Sequence, residues 1–192
     1  MKKDLLVLGF VVLILVIAAR GTKIQTVEEY YATHIDDITE DSKTVWLTIR
    51  CDTVLDNWED LDFALKDGKY IPEDGVILSR TRYVLRPGDS VFEILNRAVR
   101  HNKIHMEYQG ADMNVYNSIY IQGINHLYEF SCGPLSGWVY KVNGESPDVG
   151  CSRCFPEDGD EIEWLYTCDL GRDVGAYVLD SDPEETEKEE EH

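Results

Sequence analysis

The sequence predicts an α+β domain, and three observations predict it. Thr44–Cys51 and Glu161–Cys168 alternate apolar and polar residues with the period of a half-buried strand. Ser90, with Glu93 three residues later, forms a capping box that opens a helix with a buried stripe of Val91, Phe92, Leu95 and Val99. Short β-rich runs bounded by turn signals supply the remaining strands. One capped helix among mostly antiparallel strands is the α+β pattern.

Each element has its own signature. In Thr44–Cys51, Val45, Leu47, Ile49 and Cys51 share one face, and Trp46, Thr48 and Arg50 share the other. Leu55–Leu65 reads as a short amphipathic helix with Leu55, Trp58, Leu61, Phe63 and Leu65 as its apolar positions. Pro72–Gly75 is a turn. Val76–Leu85 is rich in β-branched and aromatic residues and reads as a second strand, broken by Arg86-Pro87-Gly88-Asp89. The helix from Ser90 carries His101 near its end. Ile104–Tyr108, Ile119–Ile121 and Leu127–Phe130 are short strand candidates. Gly137–Val142 followed by Asn143-Gly144 is a hairpin signal. Pro156–Asp160 is a further turn. In the last strand Ile162, Trp164, Tyr166 and Cys168 share a face.

The ends of the chain differ from its body. Lys2 and Lys3 precede an unbroken apolar run of 15 residues, Leu5–Ala19, closed by Arg20. Residues 1–21 read as a signal-anchor, or as a signal peptide cleaved after Ala18-Ala19. Positive charge keeps the start inside, so the body is expected outside the cell membrane, or secreted if the signal is cleaved. Residues 22–42 are a polar, acidic stalk. Residues 43–175 form the single domain, and residues 176–192 an acidic tail expected to be disordered.

The whole chain carries a net charge of −19, from 18 basic and 37 acidic residues. The tail from Asp180 contributes −7 and the first 21 residues +2, which leaves −14 on the body. That excludes nucleic acid, whose phosphates need a basic surface, and anionic headgroups for the same reason. Membrane contact is expected through the amino-terminal segment only.

The five cysteines are Cys51, Cys132, Cys151, Cys154 and Cys168. Outside the cytoplasm they read as disulfides with one thiol to spare, and their spacing leaves the connectivity open. Cys151-Ser152-Arg153-Cys154 has the spacing of a thiol-redox site, but Phe155-Pro156 follows where such a site would open a helix. Zinc is not expected, because the motif has no second pair, and no other metal ligand set has the right spacing. His101 and His105 have helical spacing, but strand character returns at Ile104, so His101 reads as a cation on the helix C-terminus. His34 and His126 stand alone. No nucleophile motif appears, and no enzyme is expected. Trp138 and Tyr140 alternate on one face of the hairpin arm, where exposed aromatics would stack on a flat ligand. With Asn143 they are the candidate ligand-binding residues.

The run Leu135–Gly144 (LSGWVYKVNG), then Gly150-Cys151-Ser152 and Asp158–Trp164 (DGDEIEW), with Pro87–Val91 and Gly123-Ile124 upstream, resembles a bacterial surface domain of unknown function related to the carboxy-terminal domain of transcobalamin. The resemblance covers residues 43–175. It implies a β-grasp-like fold, a mixed sheet wrapped around one helix. It also implies display outside the cytoplasm and a role in binding a small-molecule ligand or a surface protein. Cobalamin is the ligand it points to, although the helical-barrel domain that completes that site in transcobalamin is not encoded in these residues. In such a sheet the first and last strands are parallel neighbours, which implies a Cys51–Cys168 disulfide. Cys132 and Cys151 would then pair across the hairpin, leaving Cys154 free. The resulting reading is a membrane-anchored, extracytoplasmic ligand-binding module related to corrinoid binding. The alternatives are a structural or adhesion module without a small-molecule site, or a thiol-redox protein.

Overall fold

The computed structural model describes Thr26, residues 36–113 and residues 117–176. The expected anchor, most of the stalk and the acidic tail lie outside the described residues. Among the described residues seven strands form two sheets beside one main helix, the α+β arrangement expected.

The larger sheet has the order β2-β1-β7-β6. β1 is Thr44–Arg50, β2 Val76–Val84, β6 Gly137–Val142 and β7 Glu161–Thr167. β1 runs parallel to β7, with Leu47 opposite Ile162 and Ile49 opposite Trp164. The other two pairings are antiparallel. Val45, Leu47 and Ile49 are fully buried, and so is Ile162, so the alternation in the sequence marks the core face. β2 is an edge strand. Opposite Leu47 and Ile49 it carries one extra residue, a bulge, and it presents Arg80 and Arg82 outward. Bulges and charge both discourage pairing with another chain. On the solvent face Arg80 lies 3.7 Å above the Trp46 ring and bonds Glu161 at 2.6 Å.

Helix α2 (Val91–Asn102) follows a four-residue helix α1 at Thr53–Asp56. The capping box is present: the Ser90 amide donates to Glu93 Oε2 at 2.9 Å. Twelve residues make a marginal helix in isolation. Val91, Ile94, Leu95 and Ala98 are completely buried, and each buried Val, Ile or Leu contributes about 1.5–3 kcal/mol, so packing on the sheets holds the helix. Its first amides are satisfied from a distant segment: Val91 N donates to Cys154 O at 2.9 Å and Phe92 N to Cys151 O at 3.1 Å. Arg97, 6% exposed, reaches both Asp89 oxygens, at 2.6 and 3.3 Å, and the Val84 carbonyl at 2.8 Å. The pair pins the helix to the end of β2.

The smaller sheet is antiparallel, with the order β3-β4-β5: Met106–Gln109, Tyr120–Ile124 and Leu127–Tyr128. Two side chains of the larger sheet donate to its last strand. Trp138 Nε1 bonds Leu127 O at 2.8 Å, and the Tyr166 hydroxyl bonds Tyr128 O at 2.7 Å.

Two expectations need correction. Leu55–Leu65 is not one helix. Only Thr53–Asp56 and a 3-10 turn at Phe63–Leu65 are helical, because Leu61 bridges to Cys132 and the Asp62 amide donates to Ser131 O at 2.7 Å. Asn143-Gly144 does turn the chain, but it closes only the Val142–Glu145 bridge. The strand partner of β6 is β7, reached after a long connection whose Cys151–Cys154 stretch caps the helix.

Removing one member of a buried ion pair leaves a desolvated charge and costs about 3–5 kcal/mol. Asp89→Ala is therefore expected to lower the stability of the chain by that amount in urea denaturation. A loss below about 1 kcal/mol, the range of an exposed pair, would show that the Asp89–Arg97 contact is not buried.

Candidate functional site

The three residues expected to bind ligand have structural partners. Trp138 is 6% exposed, donates to Leu127 O and meets Tyr166 edge-on at 5.2 Å, so it offers no stacking face to solvent. Tyr140 is half-buried against Trp164, and its hydroxyl donates to Val149 O at 2.5 Å. Burial lifts its phenol well above the ordinary range. Asn143 is exposed at the turn. Its side chain donates to Asp160 Oδ1 at 2.8 Å and accepts from the Glu161 amide at 2.9 Å. Asp158-Gly159-Asp160 is the turn into β7 that the sequence indicates: Asp158 accepts from the Thr44 amide and Asp160 from the Glu157 amide.

The cysteines are all free thiols in this structure. The two expected disulfides, Cys51–Cys168 and Cys132–Cys151, are not formed. Cys132 Sγ contacts Asn57 O at 3.4 Å, whereas Cys151 Sγ donates to Ile119 O at 3.3 Å, so these two sit in different surroundings. Burial pushes the Cys151 thiol up to about 12 and also raises Cys154. Neither thiol of the Cys-x-x-Cys stretch is activated, and the helix N-terminus beside them is occupied by their own carbonyls.

A different cluster forms where the smaller sheet turns. Asn125 and His126 make a two-residue loop between β4 and β5, both with positive φ, at 52° and 65°. Such a loop favours glycine at its second position, and a larger residue there is held against a preference. His126 stacks on His105 at 4.1 Å between ring centroids, with an interplanar angle of 13°. Tyr70 lies 4.3 Å from His126 on a tilted ring, and Tyr128 lies 6.0 Å from His105. Glu107 approaches His105 Nε2 at 3.3 Å, and burial, with the Glu107 carboxylate nearby, raises the Tyr128 phenol above its ordinary range. Lys69 sits 4.7 Å over the Tyr70 ring. The loop is fastened by the Asn125 side chain to Tyr70 O and by the Asn125 amide to His105 O, each at 2.7 Å. His105 Nδ1 is buried without a hydrogen-bond partner among the described residues, a state that costs about 1–3 kcal/mol in an ordinary core.

This cluster escapes a reading of the sequence because Tyr70, His105 and His126 come from separate elements. The one local signal is the dipeptide Asn125-His126 between two short strands. Among the described residues no group of three or more His, Cys, Asp or Glu side chains has metal-binding geometry, and His101 is not joined to His105 in one. A second surface feature lies where β6 begins. Phe63, Phe130, Leu135 and Leu170 are exposed, and Phe130 and Leu170 hold positive φ. Leu170 N donates to Leu135 O at 3.0 Å, and the Phe63 segment is tied to Ser131 through Asp62.

The molecule is thus an α+β domain with a histidine–tyrosine cluster on its smaller sheet. Residues 88–167 match the sequence profile of a family described as "Domain of unknown function (DUF4430)". The match runs from the cap of α2 to the end of β7 and leaves out β1 and β2, the two strands that complete the larger sheet. No curated protein matches the chain. Among solved structures it is similar to one titled "Crystal Structure of Haptocorrin in Complex with Cbi", with a TM-score of 0.45 and 14% identity. That similarity covers 70% of this chain and 27% of the other, so the chain spans about a quarter of that protein.

His126 titrates below its ordinary value of 6.5, chiefly because burial disfavours the imidazolium, with His105 and Lys69 adding repulsion against the pull of Glu107. The unfolded chain therefore takes up this proton more readily than the folded one. Stability from this group is complete above pH 6.5 and is lost as pH falls through the lower folded value. The drop in stability between about pH 7 and pH 5, the histidine range, should shrink in His126→Gln. An unchanged slope would show that His126 does not resist protonation.

Proposed function

We propose that residues 43–175 form a β-grasp-like module that is anchored by the amino-terminal apolar segment, displayed outside the cytoplasm, and binds a small-molecule ligand without a catalytic step. The observation that supports binding is the Tyr70–His126–His105–Tyr128 cluster. It holds two imidazoles and two phenols on one partly exposed surface, on a strained two-residue loop, with a carboxylate and an ammonium beside them. Strain and an unpartnered polar atom are kept most often where they serve a function. Stacked rings suit a flat ligand, and imidazole suits a transition metal carried by one. A corrinoid is a flat macrocycle with a central cobalt, and the resemblance to the carboxy-terminal domain of transcobalamin makes it the ligand to test first. Anchoring is supported by Lys2-Lys3 ahead of Leu5–Ala19. Among the described residues no helix is long and apolar enough to cross a membrane.

A second reading, a structural or adhesion module, is favoured by the exposed Phe63, Phe130, Leu135 and Leu170, which suit contact with a protein surface.

Titrating cobalamin into the full chain, followed by tryptophan fluorescence and by the corrinoid visible spectrum, should saturate. The double variant His105→Ala/His126→Ala should weaken binding by about tenfold or more, the scale of about 1.4 kcal/mol. A flat titration contradicts the corrinoid reading and moves the weight to a protein partner. Protease added outside intact cells should digest the domain; complete protection would contradict display.

A further inference from the structure

The end of the larger sheet where β6 begins and β7 stops brings two cysteines together. Cys132 lies in the irregular segment before β6, and Cys168 follows the last residue of β7. Contacts around them fix the approach. Gly137 faces Thr167 across the two strands. Ser136 Oγ accepts from the Cys132 amide at 3.0 Å and meets the Tyr166 hydroxyl at 2.9 Å. Leu170 N donates to Leu135 O at 3.0 Å, and Cys168 N donates to Asp173 Oδ2 at 2.7 Å. Within this frame the two side chains lie close enough for each to shift the other's titration, Cys132 Sγ also donating to Asn57 O at 3.4 Å, and both are free thiols.

The two thiols are unequal. Cys132 is 2% exposed, whereas Cys168 is only half-buried. The neighbouring Cys132 side chain, with Thr53 as a second influence, lowers Cys168 against the opposing effects of burial, Asp173 and Asp60. The Cys168 side chain and burial raise Cys132. Cys51 lies near Cys168 but is completely buried, and burial pushes its thiol up to about 12. Thiol–disulfide exchange needs an accessible attacking sulfur and a second sulfur beside it to resolve the mixed disulfide. Cys168 has the first property and Cys132 the second.

We propose that Cys132 and Cys168 are a redox-active dithiol that closes into an intrachain disulfide by exchange with a small external disulfide, Cys168 attacking first. The Cys168 thiolate attacks one sulfur of the external disulfide. A bond forms between them, the external S–S bond breaks, and the other half leaves as a thiolate that takes a proton from water. Cys132 then releases its proton to solvent and attacks Cys168 Sγ, and the second half leaves as a thiolate. The protein dithiol is oxidised by two electrons, and the external disulfide is reduced to two thiols. The closed form ties residue 132 to residue 168 beside the exposed Leu135 and Leu170, so the redox state sets the shape of that apolar end. This inference is independent of the corrinoid reading.

The test is to incubate the reduced full chain with glutathione disulfide, alkylate the remaining thiols and map the peptides by mass spectrometry. A Cys132–Cys168 crosslink is expected, in the wild-type chain and in Cys51→Ser alike. Cys132→Ser should stop at a glutathione adduct on Cys168, and in Cys168→Ser the buried Cys132 should acquire glutathione at about one-tenth of the rate of wild-type crosslinking or less, because the accessible attacking sulfur is gone. A Cys51–Cys168 or Cys151–Cys154 crosslink in the wild-type chain overturns the proposal, and so does the absence of any crosslink. The wild-type map decides the pairing by itself if a variant does not fold.

Discussion

The parallel pairing of β1 with β7 is the constraint on which the rest of this structure depends. It joins the first and last strands of the domain at the centre of the larger sheet, with β2 and β6 outside them. The register places Leu47 beside Ile162 and Ile49 beside Trp164, all on the core face. A slip by one residue would turn those side chains to solvent, so hydrophobic burial enforces the register. Helix α2 buries Val91, Ile94, Leu95 and Ala98 in the same core as this pair. The pairing also closes nearly the whole domain into one loop, a non-local contact that slows folding relative to a local hairpin.

Positioning then passes outward through specific side chains. Asp89 and Arg97 hold the start of α2 to the end of β2. The carbonyls of Cys151 and Cys154 hold the helix N-terminus to the connection between β6 and β7. Trp138 and Tyr166 reach from the larger sheet to the carbonyls of Leu127 and Tyr128, which fixes β5 and so the Asn125–His126 loop. An indole that reads as a stacking platform in sequence is instead the strut that sets the histidine cluster in place.

What was legible in the sequence was local. The alternation of β1 and the Ser90–Glu93 capping box depend on neighbours within a few residues, and the structure reproduces them, whereas β7 alternates only over its first half and is buried on both faces from Trp164 to Thr167. Leu55–Leu65 had helical spacing, but a long-range bridge from Leu61 to Cys132 interrupts it, leaving a one-turn helix and a 3-10 turn on either side. Asn143-Gly144 had turn chemistry, and it turns the chain, yet nothing local says that the partner strand starts at Glu161. The histidine pair and the Cys132–Cys168 contact depend on residues far apart in the chain, brought together by topology alone. No periodicity encodes them.

Native-state hydrogen exchange, resolved residue by residue, tests the central place of the β1–β7 pair most directly. The amides of Leu47 and Ile49 in β1 and of Trp164 in β7 should exchange only through global unfolding, with the same denaturant dependence as the whole domain. The amides around Asn125 and His126 should open at lower free energy. Exchange of the β1 amides through local opening, while the smaller sheet remained protected, would contradict this: the smaller sheet would then be the frame of the domain, and the β1–β7 pair would depend on it.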